Sequence, residues 1–189
     1  RVDRAREIQS AFSPEKVVAA VTRLFDLERV PGLEDEFTFP AFNKPTRQRI
    51  FGGQVIAQAL VAAARTVDPA KTAHSLHAYF LRGGDEAKPL HFRVHRDFRS
   101  FANRRVVVRQ DGKVIFNLTA SFHAPEPGAA HQAPMPDVLP PEECAEFVEN
   151  LAADPNVSDA QLDRRARLRP FEIRSLRPSS VEKGTTHYQ

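Results

Sequence analysis

Cysteine is nearly absent: Cys144 is the only one in 189 residues. A single thiol excludes an internal disulfide and any cysteine-based zinc site. It is the cysteine usage of a reducing compartment, so a cytoplasmic location is expected. Long apolar runs are also missing. The most apolar one, residues 55–64, is interrupted by Gln58 and falls short of the ~20 residues a membrane helix needs. Residues 1–6 are charged without an apolar centre, so no secretory signal is read there. Runs of one charge are missing as well. Twenty-seven basic residues stand against 24 acidic ones, a net +3 with pI near 9.3, and no Lys/Arg block exceeds two. Surfaces ordinarily mix charge in this way, and no RRM, zinc-finger or helix-turn-helix signature occurs, so no nucleic-acid partner is expected. The small arginine excess fits a phosphate-bearing small ligand equally well.

Several catalytic signatures are missing too. There is no Gly-x-Ser-x-Gly elbow, which argues against an α/β-hydrolase serine site. There is no His-Glu-x-x-His zinc motif and no Gly-x-x-x-x-Gly-Lys phosphate loop. Seven histidines invite a metal. Their spacing refuses it: His74 and His77, three apart on a strand, point to opposite faces, and His91 and His95 lie about 13 Å apart. No metal and no cofactor is therefore expected. Cys144, with no histidine beside it, reads as a packed or surface residue on a helix rather than a nucleophile.

What is present is a globular balance, 41% apolar and 27% charged. Ser13-Pro14-Glu15 is a helix start, with a cap, a first-turn proline and an acid at the positive end. Val17, Val18, Val21, Leu24 and Phe25 continue it at helical spacing, and Pro31-Gly32 ends the segment. Phe37 and Phe39 mark a short strand. After Gly52-Gly53 a second helix carries a stripe of Val55, Ile56, Ala59, Leu60, Ala63, Ala64 and Val67, with Ala57 and Ala62 off it. No charge comes before Arg65, so this helix is predicted to be buried on most sides.

The period then changes to two in four runs, residues 76–81, 90–95, 105–109 and 114–122. Asp111-Gly112 between the last two is a tight-hairpin signal. One buried helix followed by consecutive strands predicts an α+β fold in which an antiparallel sheet covers a helix. Residues 125–141 hold six prolines and read as a linker. A helix is predicted over 141–151, a charged stretch over 154–169 and a new strand over 171–176. A lone strand beyond a linker cannot bury its apolar face, so the chain is expected to stop inside a second unit. The expected organisation is an N-terminal helix and first unit over 1–124, a linker over 125–168, and an opening strand over 169–189.

Three further features have a structural and a functional reading. Gly52-Gly53 either allows a sharp turn and close packing or bares helix-start N–H groups toward an anion. Gln54 and Gln58, four apart on one helical face, either bond a ligand or satisfy neighbouring backbone. Arg96, Arg99, Arg104 and Arg105 either meet phosphates or keep a sheet edge charged. Arg104 and Arg105 should point to opposite faces, which favours the edge.

Four segments taken together resemble the acyl-CoA thioesterase II family. They are residues 51–60, opening Phe51-Gly52-Gly53-Gln54; residues 74–82, from His74 through Tyr79-Phe80-Leu81-Arg82; residues 97–106, with Arg99-Ser100-Phe101; and residues 112–122, from Gly112-Lys113. His131-Gln132 before Pro134-Met135-Pro136 is similar to the family's linker. The chain departs from the pattern at Gly83, Phe98 and Asn103, which concerns turn shape and ligand selectivity.

The resemblance implies a hotdog fold, a long helix wrapped by an antiparallel sheet, in a chain of two such repeats of which the second is incomplete here. It implies hydrolysis of fatty acyl-CoA to free acid and CoA, by a water that an acid, a hydroxyl and an amide activate, with helix-start N–H groups on the oxyanion. In the family that trio belongs to the second repeat and no residue here matches it, so no catalytic residue is assigned. Gly53, Gln54, His74 and Tyr79 are the candidates for the substrate-facing wall. Homo-oligomers are expected, since an incomplete double repeat leaves a helix and sheet face uncovered. The competing class is a non-catalytic hotdog module that binds acyl-CoA or a partner subunit. A hotdog hydratase is disfavoured, because residues 55–64 contain neither Asp nor His.

Overall fold

The computed structural model describes residues 1–10, 14–42, 49–97, 102–166, 173–175, 181–182 and 185–186. In chain order the elements are α1 (Val2–Ser10), α2 (Pro14–Arg23), β1 (Glu28–Arg29), β2 (Glu36–Phe39), α3 (Gly52–Ala64), β3 (Thr72–Phe80), β4 (Leu90–Asp97), β5 (Ala102–Gln110) and β6 (Lys113–His123). A 3-10 turn (Pro141–Glu143), β7 (Ala145–Glu146), α4 (Phe147–Ala153), α5 (Asp159–Ala166), β8 (Arg174–Ser175), β9 (Val181–Glu182) and β10 (Thr185–Thr186) follow. The chain divides into two compact units, residues 22–129 and residues 1–21 with 130–189.

In residues 22–129 six strands form one antiparallel sheet in the order β1-β2-β4-β5-β6-β3. Asp111 and Gly112 join β5 to β6 with both φ positive, 48° and 73°, the two-residue turn whose twist matches the flanking strands. Strand alternation sends Phe92, Val94, Val106, Val108, Phe116, Leu118, Ala120 and Phe122 to one face, where all are buried. Helix α3 lies on that face, so the sheet covers a single helix as expected.

The helix differs from its sequence reading in one respect. Its buried face is Val55, Gln58, Ala59, Ala62 and Ala63, an i, i+3, i+4, i+7, i+8 spacing that includes Ala62 and leaves Ala64 exposed. Ala at three of these positions lets the helix backbone approach the sheet closely. Gln58 is fully buried and donates from Nε2 to Leu24 O at 2.8 Å. Seven residues on, Arg65 donates to Phe25 O at 2.9 Å and to Leu27 O. The two side chains pin residues 24–27, where the preceding helix has already ended at Arg23, short of Pro31.

Strand β3 also departs from expectation. Its alternation predicts one buried face, yet Leu76 and Phe80 remain 45% and 56% exposed. The strand is the last in the sheet, with β6 as its one neighbour.

In residues 1–21 with 130–189, Ala5 of α1 packs with Val148, Leu151 and Ala152 of α4, Val157, and Leu162 of α5. The charged start thus forms a helix that the sequence reading did not anticipate: Ala5 is buried, Val2 and Ile8 pack beside it, and arginines line its flanks. Arg1 pairs with Asp159 at 3.1 Å, Arg4 with Asp163 at 2.5 Å, and Arg6 with Glu149. The helix expected over 141–151 begins later, at Phe147, where Glu146 and Glu149 form a capping box. Cys144 lies outside it, half-buried, after the 3-10 turn. The charged stretch after 154 contains α5, opened by Ser158 and Gln161 bonded to one another's backbone N–H. Of the strand expected over 171–176, residues 174–175 pair antiparallel with β7; Phe171, Glu172 and Leu176 lie outside the described residues, as do Ser13 and Arg99. No described helix is long and apolar enough to cross a membrane.

Candidate functional site

A cleft of about 440 Å³ opens at the start of α3. Val55 of α3, Phe80 of β3, Ile115 and Phe116 of β6 and Ile50 make its apolar floor, and Arg49 and Arg82 stand in its wall. Gly52, the first residue of α3, lines it as well. The preceding Phe51 takes the capping position with extended backbone (φ −65°, ψ 129°) but offers no side-chain acceptor. The first helical turn thus has no side-chain cap where Ser, Thr, Asp or Asn is usual, and helix-start N–H groups have no intrahelical acceptor.

The steric reading of the glycine pair finds support in this turn. A Cβ on Gly52 would stand 3.0 Å from Phe80 Cζ, and one on Gly53 would stand 2.5 Å from Phe51 Cε1. Two aromatic rings therefore close on the glycines from different neighbours, the Phe80 ring on Gly52 and the exposed Phe51 ring on Gly53.

The far wall is the loop between β3 and β4. Leu81 N–H and Arg82 N–H both donate to Ile115 O, at 2.9 and 3.1 Å. Gly84 O accepts from Ile50 N–H at 2.9 Å, and Glu86 O from Phe42 N–H at 2.9 Å. Gln110, 5% exposed at the end of β5, bonds the loop through both ends of its amide. Oε1 accepts from Asp85 N–H at 2.9 Å, and Nε2 donates to Asp85 O and Lys88 O at 2.9 and 3.0 Å.

The four residues expected in the substrate wall fall into two groups. Gly53 and Gln54 follow Gly52 in the same helical turn, and Gln54 Nε2 reaches Gln58 Oε1 at 3.5 Å. His74 and Tyr79 sit on β3, on the sheet face opposite the helix, away from the cleft lining, which takes Phe80 instead. Tyr79 is 61% exposed, with its ring edge-on to His77 at 4.8 Å. His74 Nε2 meets Ser121 Oγ at 2.9 Å, and its ring stands edge-on to His123 at 4.7 Å. A bulge between Ala73 and Ser75 shifts the register. His74 therefore shares the outer face with His77, which pairs with Thr119. The simple three-residue alternation had placed these histidines on opposite faces. Among the described residues no three His, Cys, Asp or Glu side chains converge as metal ligands.

The arginine cluster separates into individual roles. Arg96 grips Asp35 through Nε and Nη2, with Nε 2.9 and 3.0 Å from the two carboxylate oxygens. That contact, through its hydrogen bond to Asp35, holds the guanidinium pKa above its ordinary value. Arg104 is buried and donates to Thr66 Oγ1, Thr66 O and Asn103 O at 2.8–2.9 Å, at the C-terminal end of α3. Arg105 points outward and is exposed. These strands occupy the middle of the sheet, so the cluster is not the charged edge that its sequence suggested. Arg49, Ile50, Phe80, Arg82 and Ile115 are the site residues that spacing alone did not single out. The Gly83-Gly84 turn next to an apolar strand was their one local signal.

Residues 42–123 match the family described as acyl-CoA thioesterase N-terminal domain. Acyl-coenzyme A thioesterase 8 of Rattus norvegicus is 39% identical over 176 residues, covering 88% of this chain and 54% of that protein. Acyl-CoA thioesterase 2 of Haemophilus influenzae is 37% identical over 141 residues, 73% of this chain and 49% of that protein. Among solved structures, an acyl-CoA thioesterase II from Mycobacterium marinum is 42% identical with a TM-score of 0.58, covering 66% of this chain and 47% of that one. A hot dog fold protein of unknown function from Alicyclobacillus acidocaldarius is 26% identical, also with a TM-score of 0.58, over 68% of this chain and 48% of that one. The sheet around α3 is thus a hotdog fold. The chain spans about half the length of the relatives it matches.

Proposed function

We propose that this chain, whose residues 42–123 match the acyl-CoA thioesterase N-terminal domain family, serves the hydrolysis of fatty acyl-CoA to free acid and CoA. The observation that carries this reading is the uncapped glycine start of α3 against an apolar cleft. An acyl chain is uncharged and lies on the floor formed by Val55, Phe80 and Ile115. A thioester carbonyl at the cleft's glycine end meets helix-start N–H groups, which favour the negative charge that develops on oxygen during attack by water. Gly53 and Gln54 lie in that turn and shape it. His74 and Tyr79, on the other face, face a second hotdog unit in this proposal, whether a repeat or another copy of the chain.

The acid, hydroxyl and amide that activate the water are matched by no residue of this chain. Its contribution in the reading is the wall and acyl channel, and the 189 residues alone are expected to be inactive. Release of CoA thiol from dodecanoyl-CoA tests this. No release by the isolated chain is expected, with release when it is assembled with a second hotdog unit carrying the trio. Rapid turnover by the isolated chain would overturn the division of labour. Tight dodecanoyl-CoA binding without turnover in any assembly would instead support the non-catalytic module.

A further inference from the structure

The cleft carries charge of one sign only. Of the eleven residues that line it, the two with ionised side chains are Arg49 and Arg82. Among the described residues Arg49 has no hydrogen bond or ion pair, and its Cγ, Cδ and Nε lie 3.5–3.9 Å from where a Cβ on Gly83 would stand. Gly83 therefore leaves room for the arginine stem to lie flat in the wall. Arg82 commits one N–H, from Nη1 to Val114 O at 2.6 Å, and keeps the rest of its fork. The other arginines of the sheet are placed differently: Arg96 is held by Asp35 and Arg104 is buried on Thr66. Two arginines beside an apolar floor, with no carboxylate lining the cleft among the described residues, form a surface complementary to an amphiphilic anion.

Resting on the thioester reading above, we propose that this cleft binds the free fatty carboxylate, the acid product, with its head group between Arg49 and Arg82 and its chain along Ile50, Val55, Phe80 and Ile115. The acyl end of a thioester is neutral and gives the arginines nothing to pair with. Its hydrolysis creates a carboxylate, which accepts paired N–H bonds from a guanidinium. The phosphates of CoA are separated from the thioester by the whole pantetheine arm, which a cleft of about 440 Å³ does not span together with an acyl chain. The arginines thus discriminate product from substrate at the acyl end. A retained product competes with the next acyl group.

Calorimetric titration of the full 189-residue chain with sodium dodecanoate, dodecanol and CoA tests this without requiring turnover. Dodecanoate is expected to bind at least about tenfold tighter than dodecanol, the increment of one charge-assisted pair. Arg49→Gln and Arg82→Gln should each weaken dodecanoate by about tenfold and leave dodecanol unchanged. Arg49→Gln breaks no bond among the described residues, so it decides the matter if Arg82→Gln fails to fold. Equal binding of the acid and the alcohol would overturn the proposal. So would CoA binding that the arginine variants abolish while dodecanoate does not bind, since the pair would then serve the nucleotide. Failure of hydrolysis by the chain assembled with a second hotdog unit, in the separate thiol assay, would count against the thioesterase reading and leave this titration standing.

Discussion

Gln110 and Asp85 are bonded to each other twice, Asp85 N–H to Gln110 Oε1 and Gln110 Nε2 to Asp85 O, both at 2.9 Å. The pairing mimics one rung of a β-ladder, with a buried side-chain amide replacing a strand. It anchors the loop that walls the cleft, and through Gly84 O to Ile50 N–H it anchors the approach to α3. Replacing Gln110 with Leu leaves three backbone groups without partners and should cost about 1–3 kcal/mol in urea unfolding. Gln110→Glu should be worse at neutral pH, because a carboxylate would face the carbonyl oxygens of Asp85 and Lys88 that Nε2 now serves. An unchanged midpoint for both variants would show that the loop holds itself.

The glycine pair separates by what each missing side chain would strike. The 2.5 Å contact at Gly53 is with the ring of Phe51, which is 60% exposed and free to swing outward. The 3.0 Å contact at Gly52 is with Phe80, whose ring also packs on buried Phe116 at a centroid distance of 5.0 Å. Alanine in a helix is favoured over glycine by about 0.5–1 kcal/mol. Gly53→Ala should therefore match or exceed the parent in thermal midpoint, and Gly52→Ala should fall below Gly53→Ala. Differential scanning calorimetry of the two variants gives the order, and the reverse order would place the steric conflict at Gly53.

The glycines also show how far the sequence could be read. Period-two runs gave β4, β5 and β6 with their buried faces, and Asp111-Gly112 gave the turn, because both signals are local. The exposure of β3 was not legible: Leu76, Ala78 and Phe80 alternate with His77, Tyr79 and Leu81 like any half-buried strand, and only the fold places it at the end of the sheet. The opening helix was missed because it buries a single alanine, Ala5, and is held by ion pairs made over 140 residues away. Arg104 read as surface, since nothing local reveals that Thr66 waits opposite it. In the site, the helix start was read from Gly52-Gly53, whereas Arg49 and Arg82 converge only through the fold.

Arg104 stands at the other end of α3. Its Nε and Nη2 hold Thr66 Oγ1 and O at 2.8 and 2.9 Å, a cation at the negative end of the helix dipole. Arg104→Met keeps the buried stem but abandons these acceptors, for an expected loss of about 1.5–3 kcal/mol in chemical unfolding. Arg104→Lys should recover only part, because an ammonium cannot present the fork that reaches both oxygens and Asn103 O. Full recovery by lysine would show that charge alone matters at this position.

Acid should loosen residues 1–21 with 130–189 through Glu149. Its hydrogen bond from Arg6, followed by the bond from Glu146 N–H, holds its carboxyl below the usual value of 4.5. A depressed folded pKa means that the ion pair's stabilisation is complete above the unfolded value and is lost as pH falls through the lowered one. The pair is therefore intact at neutral pH and weakens below about pH 4.5. Amide exchange in α1 should accelerate over that acid range, and Glu149→Gln should flatten the dependence while raising exchange at pH 7. Exchange in α1 independent of pH and of this substitution would mean that Ala5 packing alone holds the helix.

The outer strand of the sheet is where assembly is expected. On and just after β3, Leu76, Tyr79, Phe80 and Leu81 are 45%, 61%, 56% and 49% exposed, along a strand with one sheet neighbour, β6. An unpaired apolar edge is a template for another strand, and proteins that keep such an edge free usually guard it with lysine or proline. Neither occurs from Thr72 to Phe80. The isolated chain should therefore associate through β3, giving a light-scattering mass at least twice 21.2 kDa. Leu76→Lys with Tyr79→Lys, both exposed and outside the cleft, should return it to one chain without loss of folded circular dichroism. A single-chain mass for the parent would remove β3 as the assembly edge. A multimer that survives both lysines would move the interface to another surface.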